Sequence, residues 1–224
     1  MVEASNTPTG LRRCLYIEAS PRQENSASTA AAGAFLDALQ SHAQSVAVDT
    51  LDLWSQSLPE FDGPAIDAKY AKLSGLALSR VQEVAWLRIQ EVVDRLKSAD
   101  AVVISTPMWN FGIPYKLKHW IDLVTQPGLT FSFDPLTGYS PLLSPRPTLV
   151  ILASAGDYAG GPSRGRPDLA SPYLEAALAF VGLGDLKLVR VGPTAGPVAE
   201  VAAAAMAAEL SLVKLASSFM GGSQ

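Results

Sequence analysis

Hydroxyls, aromatics and glycines in three short segments carry most of the chemistry this chain could do. The first segment holds Ser20, Ser26, Ser28 and Thr29, running into the start of a helix. A helix start presents unpaired backbone N–H groups and partial positive charge, and small hydroxyls add further donors. Together they make a phosphate cradle that needs no buried cation, with Arg22 available to supplement it. An ordinary serine N-cap in a polar loop would use the same residues. The second segment is Pro107, Met108, Trp109, Asn110, Phe111 and Gly112, closed by Pro114. Large apolar side chains on a loop cost stability unless they cover something flat and apolar. Trp109 and Phe111 could also satisfy that need by packing on the core. The third segment, Ser154, Ala155, Gly156 and Asp157, opens a glycine-rich stretch that lets backbone approach a ligand closely.

Whether these segments meet depends on the elements around them. Residues 101–105, AVVIS, form a short β-branched run that reads as a strand buried on both faces. Pro114 suits the first turn of a helix, in which Leu117, Trp120, Ile121 and Val124 then repeat on one face. Further strands are expected at 13–19, 46–51, 148–153 and 186–191, and helices at 28–42, 74–97, 173–181 and 198–219. Within 74–97 the inward stripe is Val81, Ala85, Ile89, Val92, Val93 and Leu96. Trp86 falls off that stripe, against the preceding loop or a second subunit. Residues 58–67, LPEFDGPAID, read as irregular loop because Pro and Gly punctuate them. Residues 131–143 alternate around DPLTG and read as a small hairpin.

About five alternations of strand and helix without a repeat require right-handed crossovers and a parallel sheet. The fold class is therefore α/β: a flavodoxin-like, doubly wound, five-stranded parallel sheet with helices on both faces and a hairpin insertion. One domain over 11–219 is expected, with flexible termini at 1–10 and 220–224.

Composition narrows the function classes. The chain has 224 residues, 48% hydrophobic and 17% charged, enough apolar content for a large core and too little charge for disorder. Net charge is −4 without a Lys/Arg cluster, which argues against nucleic acid. The single cysteine, Cys14, excludes an intramolecular disulfide and a thiolate metal cluster, and its strand position suggests a buried, inert thiol. The first ten residues lack a basic-then-apolar signal pattern, and Glu200 and Glu209 interrupt the Ala-rich 202–208 stretch. No membrane span and a cytoplasmic location are expected. His42 suits a carbonyl cap at a helix end, and His119 lies on a helix flank. Neither G-x-G-x-x-G nor a P-loop is present.

In the expected sheet, loops 20–28, 106–112 and 154–157 all leave the carboxyl ends of strands, where open α/β sheets bind ligands. Phosphate donors at one end and a flat apolar surface at the other describe flavin mononucleotide, FMN. Three motifs then make the likeness specific: PMWNFGIPYKLKHWIDLV followed by PGLTF, the S-x5-SAS turn from Ser20 to Ser28, and LPEFDG after the second strand. In these the chain resembles the FMN-dependent NADH:quinone and azo-compound oxidoreductases, the azoreductase group, over most of its length.

That resemblance implies phosphate held by Ser20, Ser26, Ala27 and Ser28. It implies that Pro107, Met108, Trp109, Asn110 and Phe111 wrap the isoalloxazine, and that Ser154, Ala155, Gly156 and Asp157 border it. The family's usual S-R-G-G is altered at this last loop, losing the arginine and second glycine. The resemblance also implies hydride passing from NADH or NADPH through flavin to a quinone or azo compound in ping-pong alternation. No side chain would act as the chemical catalyst; Asn110 and Phe133 would face the acceptor. A homodimer is implied, its acceptor pockets completed by the partner, with the 58–68 loop and Trp86 available for contact. Two alternatives share the fold: a flavodoxin-type electron carrier, and a flavin reductase tailoring one aromatic substrate. A phosphoacceptor regulator is set aside, because Ser105 and Thr106 stand where its aspartate is needed.

Overall fold

A computed structural model describes residues 11–42 and 45–220. The termini expected to be flexible lie outside those residues, apart from Met220. Five strands, β1 (Arg12–Glu18), β2 (Val46–Asp52), β3 (Ala101–Pro107), β6 (Thr148–Ala153) and β7 (Leu186–Val191), form one parallel sheet. Their order is β2-β1-β3-β6-β7, the doubly wound flavodoxin-like order. A separate antiparallel hairpin, β4 (Phe131–Asp134) with β5 (Gly138–Pro141), is inserted before β6. This is the architecture that the alternation of elements predicts.

Side-chain alternation splits the core into two layers. Leu15, Ile17, Val102, Ile104, Val150 and Leu152 face one side, against Ile89, Trp120 and Leu174. Those three belong to α3 (Arg80–Lys97), α4 (Tyr115–Val124) and α5 (Ala170–Val181). Cys14, Tyr16, Val103, Leu149 and Ile151 face the other side, against Phe35, Leu39, Leu212 and Phe219 from α1 (Ala27–His42) and α6 (Val198–Phe219). Because both faces are covered, β6 is buried at every residue and, after Thr148, reads as an unbroken apolar run. Cys14 is fully buried, and burial pushes its thiol up to about 12, leaving it inert at neutral pH.

Two sequence expectations are corrected. The helix expected at 74–97 starts only at Arg80, as α3, and an unexpected helix, α2 (Gly63–Leu73), precedes it, so the irregular reading of 58–67 fails from residue 63 onward. Asp62 caps α2 by accepting from Ala65 N at 3.2 Å, and Pro64 sits in the first turn, where its missing N–H removes nothing. Gly75, at φ 67°, ends α2, and a Ser79–Gln82 capping box opens α3. Trp86 is also relocated: it is 4% exposed on the inward stripe with Ile89, Val93 and Leu96, while Val81 is 63% exposed. Lys72 Nζ lies over the Trp86 ring, 5.8 Å from its centroid. The indole is used inside the chain and is not available to a second subunit.

Candidate functional site

The serine turn begins where β1 stops. Ala19 N donates to Ser105 O at 2.9 Å, which holds the turn beside the end of β3. Ser26 is the cap of α1: its Oγ accepts from Thr29 N at 3.3 Å and lies 3.0 Å from Ser28 Oγ. Ser20, Ser26 and Ser28 are 2%, 5% and 0% exposed, unusual burial for hydroxyl-bearing loop residues. The Ala27 and Ser28 amides stand in the first helical turn, where N–H groups have no intrahelical acceptor. Thr29 Oγ1 donates back to Glu18 Oε1 at 2.9 Å, tying strand end to helix start. Burial pushes the Glu18 carboxyl up, partly opposed by that hydroxyl.

The second turn leaves β3. Met108 N donates to Ala153 O at 2.7 Å, anchoring it to β6. Trp109 and Gly112 then exchange two backbone hydrogen bonds, each 2.9 Å, around Asn110 and Phe111. Those two residues have φ 48° and 73°, the positive pair that a tight two-residue reversal of the I′ kind requires. Asn accepts this readily; for Phe it is strained by about 1–3 kcal/mol. Phe111 O accepts from Leu169 N at 3.0 Å, so a remote segment helps hold the strained residue. Trp54 donates Nε1–H to Ala19 O at 3.0 Å and packs on Trp109, ring centroids 5.9 Å apart, and on Tyr115 at 5.4 Å.

The third turn depends on space rather than on hydroxyls. Ser154 N donates to Val191 O at 3.0 Å, and Ser154 Oγ donates to Gly156 O at 2.8 Å. A Cβ on Gly156 would lie 2.2 Å from Ser163 Oγ and 2.9 Å from Arg166 Nη2, so any side chain there forces its neighbours to shift. Asp157 is exposed, and its Oδ1 accepts from Ala159 N at 2.8 Å.

These turns meet over one cleft of about 380 Å³. Ser20, Ser26, Ala27, Pro107, Met108, Trp109 and Ala155 line it. Of the other candidates, Ser28 lies beneath the helix start, bonded to Ser26. Asn110 and Phe111 form the apex of the second turn, and Ser154, Gly156 and Asp157 flank Ala155 without lining the cleft. Phe133 stands on the hairpin, its ring 4.9 Å from Tyr139, which packs on Phe180 at 5.5 Å. His119 is tied elsewhere, its Nε2 2.9 Å from Pro59 O.

Several wall residues were not singled out from sequence: Asn25, Pro193, Thr194, Val201 and Ala205. The last four follow β7, a fourth strand whose carboxyl end faces the same edge, which the strand order alone could have suggested. Trp54 offered a comparable signal, standing directly after β2. A hollow at the opposite sheet edge, near Arg12 and Lys97, is organised by Arg146, which donates to the Leu96, Lys97 and Ala99 carbonyls of the α3 end. That is helix capping, and the three turns lie at the other edge.

Residues 12–213 match the profile of a family described as having a flavodoxin-like fold, which defines the class of protein. An azoreductase from Bacillus anthracis has the same fold, with a TM-score of 0.83 at 24% identity, covering 93% of this chain and 100% of that one. The FMN-dependent NADH:quinone oxidoreductase 1 of Bradyrhizobium diazoefficiens is 46% identical over 209 residues, 93% of this chain and 100% of the relative. An FMN-dependent NADH-azoreductase from Bacillus anthracis, solved in complex with FMN, is 28% identical with a TM-score of 0.78, covering 92% and 99%. The chain belongs to the FMN-dependent NADH:quinone oxidoreductase family, the azoreductase group.

Proposed function

We propose that this protein is an FMN-dependent oxidoreductase that takes hydride from NADH or NADPH and delivers it to quinones or azo compounds. The observation that carries this reading is the meeting of the serine turn and the Trp109 turn over one cleft. Its donor set fits a phosphate: the Ser20 and Ser26 hydroxyls, the first-turn amides of Ala27 and Ser28, and Arg22 on the wall. Pro107, Met108 and Trp109 supply the apolar wall that a flat ring needs, and Ala155 of the third loop adds to the lining. When bound, FMN supplies the hydride chemistry; the chain supplies binding, orientation and electrostatics.

Each turn then has a physical task. The serine turn fixes one end of the cofactor by hydrogen bonds to charge, each contributing about 1.5–3 kcal/mol. Asn110, at φ 48° on the apex of the second turn, would offer its amide as a donor toward negative charge on the bound ring. Trp54 braces Trp109 from behind, which keeps the indole from turning away. Phe133, 54% exposed on the hairpin, offers an aromatic surface to the acceptor.

Donor and acceptor are both flat and would use the same exposed side, so the reading includes ping-pong kinetics. It includes a single domain over 11–219 working in the cytoplasm as a homodimer. The contact surface would draw on residues 58–68, a short loop and the first turns of α2, without Trp86. The test is a visible spectrum of the purified protein followed by anaerobic titration with NADH and NADPH. Flavin absorbance that bleaches with stoichiometric donor and returns with a quinone, giving parallel double-reciprocal plots, is expected. A protein that takes up no FMN would sink the reading. One that binds FMN but oxidises neither nicotinamide would be an electron carrier.

A further inference from the structure

Between β6 and α5 the chain makes an excursion that the serine and Trp109 turns do not explain. Within it, residues 163–166, SRGR, reverse direction: Arg166 N donates to Ser163 O at 3.0 Å, with Arg164 at φ 50° and Gly165 at φ 80°. This turn rests directly on Gly156, whose missing side chain leaves room for Ser163 and the Arg166 guanidinium. Ala155, one residue earlier, lines the cleft, and Leu169, three residues after Arg166, donates to Phe111 O at 3.0 Å. The turn therefore stands on the cleft rim, between the Trp109 loop and the third loop.

Both arginines keep their charge free for an outside anion. Among the described residues the ion pairs are Arg80–Glu83, Arg95–Asp49, Lys118–Asp122 and Arg190–Asp168, with neither Arg164 nor Arg166 among them. The nearby carboxylates are engaged: Asp157 accepts from Ala159 N, and Asp168 from Ala170 N, Ser171 and Arg190. Arg166 uses Nε on Ser163 O at 3.2 Å, which orients the guanidinium plane and leaves its terminal Nη edge unused. A guanidinium fork matches phosphate oxygens two at a time, and a net charge of −4 makes such a positive rim local.

We propose that Arg164 and Arg166 clamp the phosphates of the dinucleotide donor, an inference that rests on the oxidoreductase reading above. The nicotinamide must enter the cleft while its phosphates stay near solvent, and the rim is where those phosphates pass. The anion is either the diphosphate common to NADH and NADPH or the 2′-phosphate of NADPH.

The test compares the Arg164→Gln/Arg166→Gln double variant with the unaltered protein. ADP-ribose and 2′,5′-ADP are titrated calorimetrically into each protein as purified, FMN affinity is read by fluorescence quenching, and donor KM is measured at low and high salt. Expected is at least about tenfold weaker ligand binding and a similar rise in donor KM, with loss of the salt dependence. An equal loss for both donors assigns the diphosphate; a loss confined to NADPH and 2′,5′-ADP assigns the 2′-phosphate. An FMN-loaded variant whose ligand binding and donor KM match the unaltered protein would overturn the clamp alone. Arginine-dependent ADP-ribose binding in a protein that takes up no FMN would overturn the oxidoreductase reading alone.

Discussion

The serine turn after β1 and the glycine turn after β6 end two strands of the same sheet, yet they are held in place by different means. Around Ser26 nearly every tie is local: hydroxyls cap their own helix, and Thr29 reaches back to Glu18 across 11 residues. Around the glycine turn the backbone ties are distant, since Val191 and Thr194 bond to Ser154, while Ser163 and Arg166 from the same excursion crowd the missing side chain of Gly156. A local turn keeps its geometry wherever strand and helix form. A turn held by remote neighbours depends less on its own side chains, and Ala155 and Asp157 are both exposed. Under the proposed function, the serine end would hold phosphate in a locally fixed geometry, and the glycine end would be where donor and acceptor preference can be adjusted.

Removing hydroxyls should break this comparison most visibly. Ser20→Ala with Ser26→Ala deletes two donors to a charged group, about 1.5–3 kcal/mol each, so FMN affinity should fall at least about 100-fold by fluorescence titration. An unchanged dissociation constant would mean that the helix amides alone hold the phosphate.

At the other end, Gly156→Ala must push Ser163 and Arg166 aside. Overpacking of this kind costs about 1–3 kcal/mol, so the thermal midpoint should drop while FMN phosphate binding holds. A midpoint equal to that of the unaltered protein would show the 163–166 turn to be loosely attached.

Phe111→Gly removes the strain of φ 73° between the two regions, and urea unfolding should show a gain of about 1 kcal/mol. A loss instead would mean that the 43% exposed phenyl ring contributes more by packing than its backbone costs.

The smallest effect is expected far from both turns. Asp49 accepts from Arg95 at 2.7 and 3.0 Å, and those hydrogen bonds hold its carboxyl below the usual carboxylate range. Because the folded-state value is lowered, the stabilisation is complete above the ordinary aspartate range and is lost as pH falls through the folded value. Asp49→Asn should therefore lower stability by about 1 kcal/mol or less at pH 7, with the gap closing in acid. A gap that persists at acid pH would trace the loss to packing instead of charge. Equal FMN affinity in this variant would separate the binding turns from general sheet stability.

Much of this was legible in sequence because the signals are short-range. The apolar runs at 101–105 and 148–153, the Leu117–Trp120–Ile121–Val124 repeat and the serines before Ala31 each depend on neighbours within a turn or two. The failures came where a local signal has two meanings. Pro64 reads as a breaker and serves as a first-turn helix residue; Trp86 reads as off-stripe only if the stripe starts at Val81, which is exposed. Trp54, Thr194 and Arg166 carried no motif, and their place at the cleft or its rim depends on strands and turns that pair from far along the chain.

By itself the sequence determined the alternation of strands and helices, the two-faced burial of the sheet and the hydroxyl-bearing helix start. Backbone hydrogen bonding and the periodicity of apolar side chains set these over a few residues at a time. Only the tertiary structure decided that Trp54 braces Trp109, that Leu169 secures the strained Phe111, and that an arginine turn lies on Gly156. Those contacts join residues up to about sixty positions apart, and close packing, not local propensity, selects which of them can coexist.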